Sequence, residues 1–200
     1  MRLEYVLRAA RYTLWLIPLW GGLCAPAVAK SWQLTPKHAS VGFTFRVFGA
    51  KLQGDFHDFS GQADYDQQHK DASQLNAQVA MASLDIKLPK ILKWLVSDDM
   101  LKTKQHPYMV FSSKNVRFTS NNQAKIMGDL TFLGVTRPII IDAQITPAVD
   151  HVTGSQVLRF HGMAHIKRRD FKFFLPVPGV SEDVNVMLQG DLVPYTKLKK

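Results

Sequence analysis

The sequence predicts an all-β protein: an extended antiparallel β-barrel of about eight strands, with one short helical insertion acting as a lid. Three observations carry this. Apolar and polar residues alternate with period two through most of the chain from Trp32 onward, as in strands with one buried face. Short turn signals, among them Gly49, Ser60-Gly61, Asn121-Asn122, Gly134, Gly154 and Pro178-Gly179, separate these stretches. Strands joined by such short turns are antiparallel neighbours, because a parallel pair needs a crossover of a dozen residues or more. One interval alone, around residues 88–95, switches to helical spacing. Closing such a sheet removes its exposed edges, and about eight strands leave space for one small ligand inside.

The strand candidates run, in order, over residues 32–34, 41–48, 52–59, 62–65, 74–82, 109–112, 114–118, 125–132, 137–145, 157–166 and 184–193, some of them to be merged or broken. In the second, Val41, Phe43, Phe45 and Val47 share a face, with Gly42, Thr44 and Arg46 opposite. The same rhythm recurs in Leu75-Ala77-Val79-Met81, Ile126-Gly128-Leu130-Phe132 and Val184-Val186-Leu188. The helix rests on Leu88, Ile91, Leu92 and Leu95 at offsets 0, 3, 4 and 7, with Pro89 in its first turn and Lys87, Lys90 and Lys93 off the stripe. Ser97 or Asp98 is placed to cap a second short helix through Met100 and Leu101, ending before His106-Pro107.

At 200 residues and 46% hydrophobic content the chain suits one globular domain. Its first 29 residues have the three parts of a cleavable secretory signal: Arg2, Arg8 and Arg11, an apolar stretch from Tyr12 to Cys24, and Ala27-Val28-Ala29 before Lys30. The competing reading, a retained anchor, is opposed by Pro18, Gly21 and Gly22 in a stretch short for spanning. The expected products are thus a signal peptide, 1–29, and a mature barrel domain, 30–200, exported to the periplasm. Cys24 is the only cysteine, so the mature chain has no disulfide, thiolate metal site or cysteine nucleophile. Removing Arg2, Arg8, Arg11 and Glu4 leaves 22 basic and 15 acidic residues, a net charge of +7. That balance suits a transient contact with an anionic membrane surface, and equally an ordinary basic solvated surface.

No catalytic residue is identified. There is no Gly-x-Ser-x-Gly elbow, P-loop or dinucleotide fingerprint. His161 and His165 share a strand face but stand roughly 13 Å apart, too far to ligate one ion, and no metal site is expected. The basic clusters Lys102/Lys104 and Lys167-Arg168-Arg169 do not make a nucleic-acid binder of an exported protein. What stands out is the excess of large apolar residues on inward faces. The candidate lining is Phe43, Phe45, Val79, Met81, Phe111, Phe132, Phe174 and Val186 from strands, with Leu92 and Leu95 from the helix. Periodicity alone fits a solid core and a tunnel equally well.

The motifs are more specific. His38-Ala39-Ser40-Val41-Gly42-Phe43, Gly54-Asp55-Phe56-His57-Asp58-Phe59-Ser60-Gly61, His106-Pro107-Tyr108-Met109-Val110-Phe111 and above all Gly128-Asp129-Leu130-Thr131-Phe132-Leu133-Gly134-Val135-Thr136-Arg137-Pro138 follow one family order. With Ile166-Lys167-Arg168-Arg169-Asp170-Phe171 near the end, the mature chain resembles the YceI-like polyisoprenoid-binding family over nearly its whole length. Members often have glycine after the Arg-x-Asp-Phe stretch, where this chain has Lys172. The resemblance implies a lipocalin-like barrel in the periplasm, holding a long isoprenoid lipid such as a quinone tail. It implies no enzyme activity and no catalytic cofactor, and it favours pocket lining for Phe43, Phe45 and Phe111.

Overall fold

The computed structural model describes residues 30–195 except Asp66 and Asp98. The expected signal segment, the Asp98 cap and the Lys197–Lys200 end lie outside the described residues.

The strands are β1 (Lys30–Leu34), β2 (Ala39–Val47), β3 (Ala50–Phe56), β4 (Phe59–Tyr65), β5 (Gln74–Ala80), β6 (Leu84–Asp85), β7 (Tyr108–Phe118), β8 (Gln123–Phe132), β9 (Val135–Val149), β10 (Gln156–Lys167) and β11 (Asp183–Pro194). Three pairs are single strands bent in the middle. β1 and β2 are separated at Thr35–His38, where Pro36 has no N–H to give a ladder and the Thr35 hydroxyl meets His38 Nδ1 at 3.0 Å. β3 and β4 bend at His57-Asp58, and β5 and β6 at a 3₁₀ turn, Met81–Ser83. Taken as bent strands these eleven elements make eight, each antiparallel to its neighbours in chain order. β11 closes the ring by pairing with β2 from Asn185↔Thr44 to Gly190↔Ala39 and with β1 at Trp32↔Pro194. The expected barrel of about eight strands is the observed fold.

Residues 109–112 and 114–118, expected as separate strands, are both part of β7. Its ladder with β8 shifts register between Ser113 and Asn115, a bulge that moves the inward positions from Met109 and Phe111 to Val116 and Phe118. The break in alternation is real, but the strand continues through it.

Two hairpin tips, Phe48-Gly49 and Leu133-Gly134, have positive φ at both central residues (48° and 82°, 50° and 75°). This primed geometry suits the twist of the flanking strands, and glycine takes the second position without penalty. Gly128 is needed for a different reason. A Cβ there would stand 2.6 Å from the Phe111 ring, which crosses the strand inside the barrel. Gly128→Ala is expected to destabilise the protein by about 1–3 kcal/mol through overpacking. The shift in the midpoint of urea unfolding, with an unchanged slope, checks it.

The helix forms as α1 (Pro89–Leu95), with Pro89 at its start. Leu95 and Leu101 are buried in the main core cluster, and Ile91, Leu92, Trp94 and Val96 pack half-buried against it. Lys87, Lys90 and Lys93 face solvent. Leu88 departs from expectation: it is the N-cap, with non-helical backbone, and is exposed. Among the described residues no second α-helix follows α1. Residues 99–101 form a turn, and the Ser97 hydroxyl donates back to Trp94 O at 2.7 Å, closing α1 instead of opening a new helix.

Candidate binding site: the barrel interior

The register places two sets of connections at opposite ends. The lid end carries the β2–β3 and β8–β9 hairpin tips, the lid segment 86–107 and the β10–β11 loop, 168–182. The far end carries the start of β1 and the β4–β5, β7–β8 and β9–β10 connections. Between them runs a slender cavity of about 150 Å³, reaching from Val79, Met109 and Ile166 to Tyr65 and Phe118. Its wall is apolar because inward positions on every strand are apolar, for example Ile126 and Leu130 on β8, and Ile141 and Ile145 on β9. The polar side chains of the lining, Asp64, Tyr65, Ser73 and Gln74, gather where β4 meets β5. Two buried polar atoms, Ser73 Oγ and, on β1, Trp32 Nε1, have no hydrogen-bond partner.

Of the candidates read from the sequence, Val79, Phe111 and Val186 line this cavity. Phe43, Met81, Leu92, Leu95 and Phe132 belong to the core that fills the lid end. Phe45 is half-buried, its ring stacked on Phe43 with centroids 6.1 Å apart. Met81 is held in the 3₁₀ turn and its N–H donates to Pro107 O at 2.8 Å, tying the lid segment's end to β5.

Phe174 requires a correction, because it is 62% exposed and lines nothing inside the barrel. The physical reason lies in the preceding residues. A 3₁₀ turn, Arg168–Phe171, ends at Lys172, whose φ of 56° lies in the left-handed region that glycine favours. The 3₁₀ turn shifts the inward phase carried along β10 by one residue, so that Phe171 and Phe173 point inward, edge-on to Phe132 with centroids 5.8 and 5.6 Å away, and Phe174 points out. Phe171 and Phe173 are thus interior residues that the period-two reading missed. The position where members of the resembled family often have glycine is the one where the backbone needs it.

Arg168 was also missed as a structural residue. It is 7% exposed, and its guanidinium donates to Ser181 O and Phe173 O at 3.0 Å and to Val180 O at 3.2 Å. Burial, and then the like charge of Arg169, hold its pKa below the ordinary arginine value, with Glu182 pulling the other way. Arg137 completes the clamp from β9, donating through Nε to Asp170 O at 3.0 Å. One cation thus gathers three carbonyls of a long loop that lacks regular structure.

His165 does not join His161. Its ring nitrogens meet Asn185 Oδ1 at 2.8 Å and Asp183 Oδ1 at 3.1 Å on β11. Among the described residues no group of three or more His, Cys, Asp or Glu is placed to hold a metal ion.

The family model for the YceI-like domain matches residues 32–192, from the strand that opens the barrel to the strand that closes it. The chain belongs to the YceI-like family. It is 29% identical to protein YceI of Escherichia coli O157:H7 over 165 residues, 81% of this chain and 86% of that protein. The crystal structure of the Campylobacter jejuni YceI protein is similar, with a TM-score of 0.63 at 29% identity, covering 72% of this chain and 85% of that one. The fold also matches a polyisoprenoid-binding domain from Saccharophagus degradans implicated in plant cell wall breakdown, with a TM-score of 0.57 at 11% identity over 84% and 99% of the two chains. The longest YceI-like motif, 128–138, is the β8–β9 hairpin. Gly128 clears Phe111, the Thr131 and Thr136 hydroxyls meet at 2.9 Å across the ladder, and Arg137 reaches the β10–β11 loop.

Proposed function

We propose that this YceI-like protein is a periplasmic binding and carrier protein for a long-chain isoprenoid lipid of the quinone type, and not an enzyme. The observation that carries the reading is the apolar cavity along the barrel, with polar groups only at its far end. A prenyl chain offers methyl and methylene groups alone, and each CH₂ removed from water contributes about 0.8 kcal/mol. A quinone carbonyl at the far end would accept a hydrogen bond from Ser73 Oγ, a buried hydroxyl on the cavity wall with no other partner. Export rests on the signal pattern of residues 1–29. The absence of a recognisable nucleophile or acid–base set in the sequence supports binding over catalysis.

A second reading is favoured by the cavity's size. About 150 Å³ is the room a benzene-sized molecule occupies, well below the several hundred Å³ of ordinary ligand pockets. A ligand-free, packed barrel serving as a stress-related interaction module fits that volume as it stands. The carrier reading requires the interior to widen, and the side chains in the way are those packed under α1. Native mass spectrometry of gently purified protein separates the two: an added mass matching a prenyl lipid supports the carrier, and the apo mass alone supports the packed barrel.

Opening at α1 has its own expected result. Leu92 and Leu95 hold the helix on the core, each worth about 1.5–3 kcal/mol of burial if fully enclosed. The double replacement by Ser should speed lipid exchange between protein and vesicles severalfold. Unchanged exchange in a folded variant would mean that α1 is no lid.

A further inference from the structure

We infer that the lid end of the barrel is a docking surface for an anionic phospholipid leaflet, with Phe48 and Phe174 as apolar anchors inside a basic ring. The inference deepens the carrier reading by naming where the protein would meet the membrane.

The first observation is charge. Three charged segments and the uncharged β8–β9 tip build the lid end. Residues 46–51 hold two basic and no acidic residues; 86–107 hold five basic and two acidic; 167–182 hold four basic and two acidic. Together that is a net +7, so the rest of residues 30–200, with eleven of each sign, is neutral. Eleven basic and four acidic residues thus fall in the segments that form the lid end. The neighbouring carboxylates Asp85 and Asp183 are turned toward His57 and His165, at 3.4 and 3.1 Å. Arg169 is paired with Glu182 at 2.9 Å, and the lysines on α1 project into solvent.

The second observation is exposed apolar surface in the same place. Phe48 is 74% exposed at the β2–β3 tip, Phe174 is 62% exposed on the β10–β11 loop, and Leu88 and Val177, on the lid segment and the same loop, are also exposed. Large side chains facing water together mark interaction sites more often than they are accidents of folding. Phe48 sits in the strained first position of a primed turn with φ 48°, where Asn or Asp is the usual choice. The tip is also held in place. Phe48 N–H donates to Gly179 O at 2.8 Å, Val47 pairs with Val180, and Arg46 N–H donates to Ser181 Oγ at 3.0 Å. Phe173 and Leu175, from the loop that carries Phe174, pack in the cluster that also holds Leu92 and Trp94 of α1. The loop that carries Phe174 and the helix α1 thus share one core cluster.

Apolar rings within a basic border match a leaflet whose surface is anionic and whose interior is hydrocarbon. Basic residues draw the end of the barrel in over a screening length of about 8 Å at physiological salt, and the rings enter the interface. A protein partner would need a shaped counterpart to these tips, and a second copy would bring its own positive charge against them. Charge complementarity selects the lipid surface. Because the loop that carries Phe174 packs in the same core cluster as α1, docking would also bring the lid to the membrane, the one place where a water-insoluble chain is available.

The test is flotation of the purified protein with vesicles of phosphatidylcholine, alone or mixed with phosphatidylglycerol, neither containing isoprenoid. Binding is expected to the mixed vesicles, to fall steeply with salt, and to be weak on pure phosphatidylcholine. Lys90→Gln with Lys93→Gln should lose about fivefold per lysine. Phe48→Ser with Phe174→Ser, at unchanged charge, should lose at least tenfold. Lys37→Gln, in the exposed bend between β1 and β2, should lose nothing beyond a nonspecific charge effect. Thermal melts confirm that each variant is folded. Equal binding to the two vesicle types, full binding by the folded Phe48/Phe174 variant, or self-association without vesicle binding overturns the inference. Since the vesicles hold no isoprenoid, docking and isoprenoid binding fail independently: the first by flotation, the second by native mass spectrometry.

Discussion

Arg168→Met should lower the stability of the protein by about 3 kcal/mol, because it leaves three carbonyls at Phe173, Val180 and Ser181 without the donors that gather them. In a domain of this size that corresponds to a fall in melting temperature of about 6–12 °C. The methionine keeps most of the packing of the aliphatic stem, so the loss reports the hydrogen bonds rather than a cavity. Arg168→Lys should recover less than half of it, since an ammonium cannot span the three carbonyls that a planar guanidinium reaches. The consequence is local as well as global. Phe171 and Phe173 are held by the same loop against Phe132, so hydrogen exchange should rise first between residues 168 and 182. A thermal melt of Arg168→Met within a degree or two of the parent would show that solvent satisfies these carbonyls and that the clamp contributes little.

Ala164→Phe should abolish lipid binding while leaving the barrel folded. Ala164 is an inward residue of β10 and lines the cavity, opposite Ile141 in the β9 ladder. A cavity of about 150 Å³ accepts one benzene-sized group, so a single phenyl ring introduced from the wall occupies it. Filling an empty apolar space adds buried contacts, and the variant is expected to match or exceed the parent in thermal stability if the ring finds an unstrained rotamer. The lipid load in native mass spectrometry should drop at least tenfold. A folded Ala164→Phe protein that retained its full load would place the ligand outside the barrel. The carrier reading of the cavity would then be lost, even though the YceI-like fold would stand.

Much of this molecule was legible from residue order. Alternation gave the strands, and its interruptions marked real features: the bend at Thr35–His38 and the phase change at Ser113–Asn115 both appear in the sequence as breaks in period two. The i, i+3, i+4 spacing of Leu88, Ile91, Leu92 and Leu95 located α1 to within a residue. Val79, Phe111 and Val186 were placed on the cavity wall because, in the middle of a long strand, side-chain direction follows from parity alone. Such features are local, and local backbone geometry determines them.

Tertiary structure decided the rest. Phe171, Phe173 and Phe174 are chemically equivalent in the sequence, yet the 3₁₀ turn Arg168–Phe171 puts two inside and one outside, and parity counted along β10 does not carry through such a turn. Arg168 reads as one more charge in a basic run, because its partners are main-chain carbonyls 5 to 13 residues away that no side-chain pattern reveals. How far the interior stays open is a property of eight strands packed together, and the gathering of basic segments at the lid end depends on which loops the closed ring brings to one side. Residue order determines which way a strand's side chains point; closure of the barrel determines what they meet.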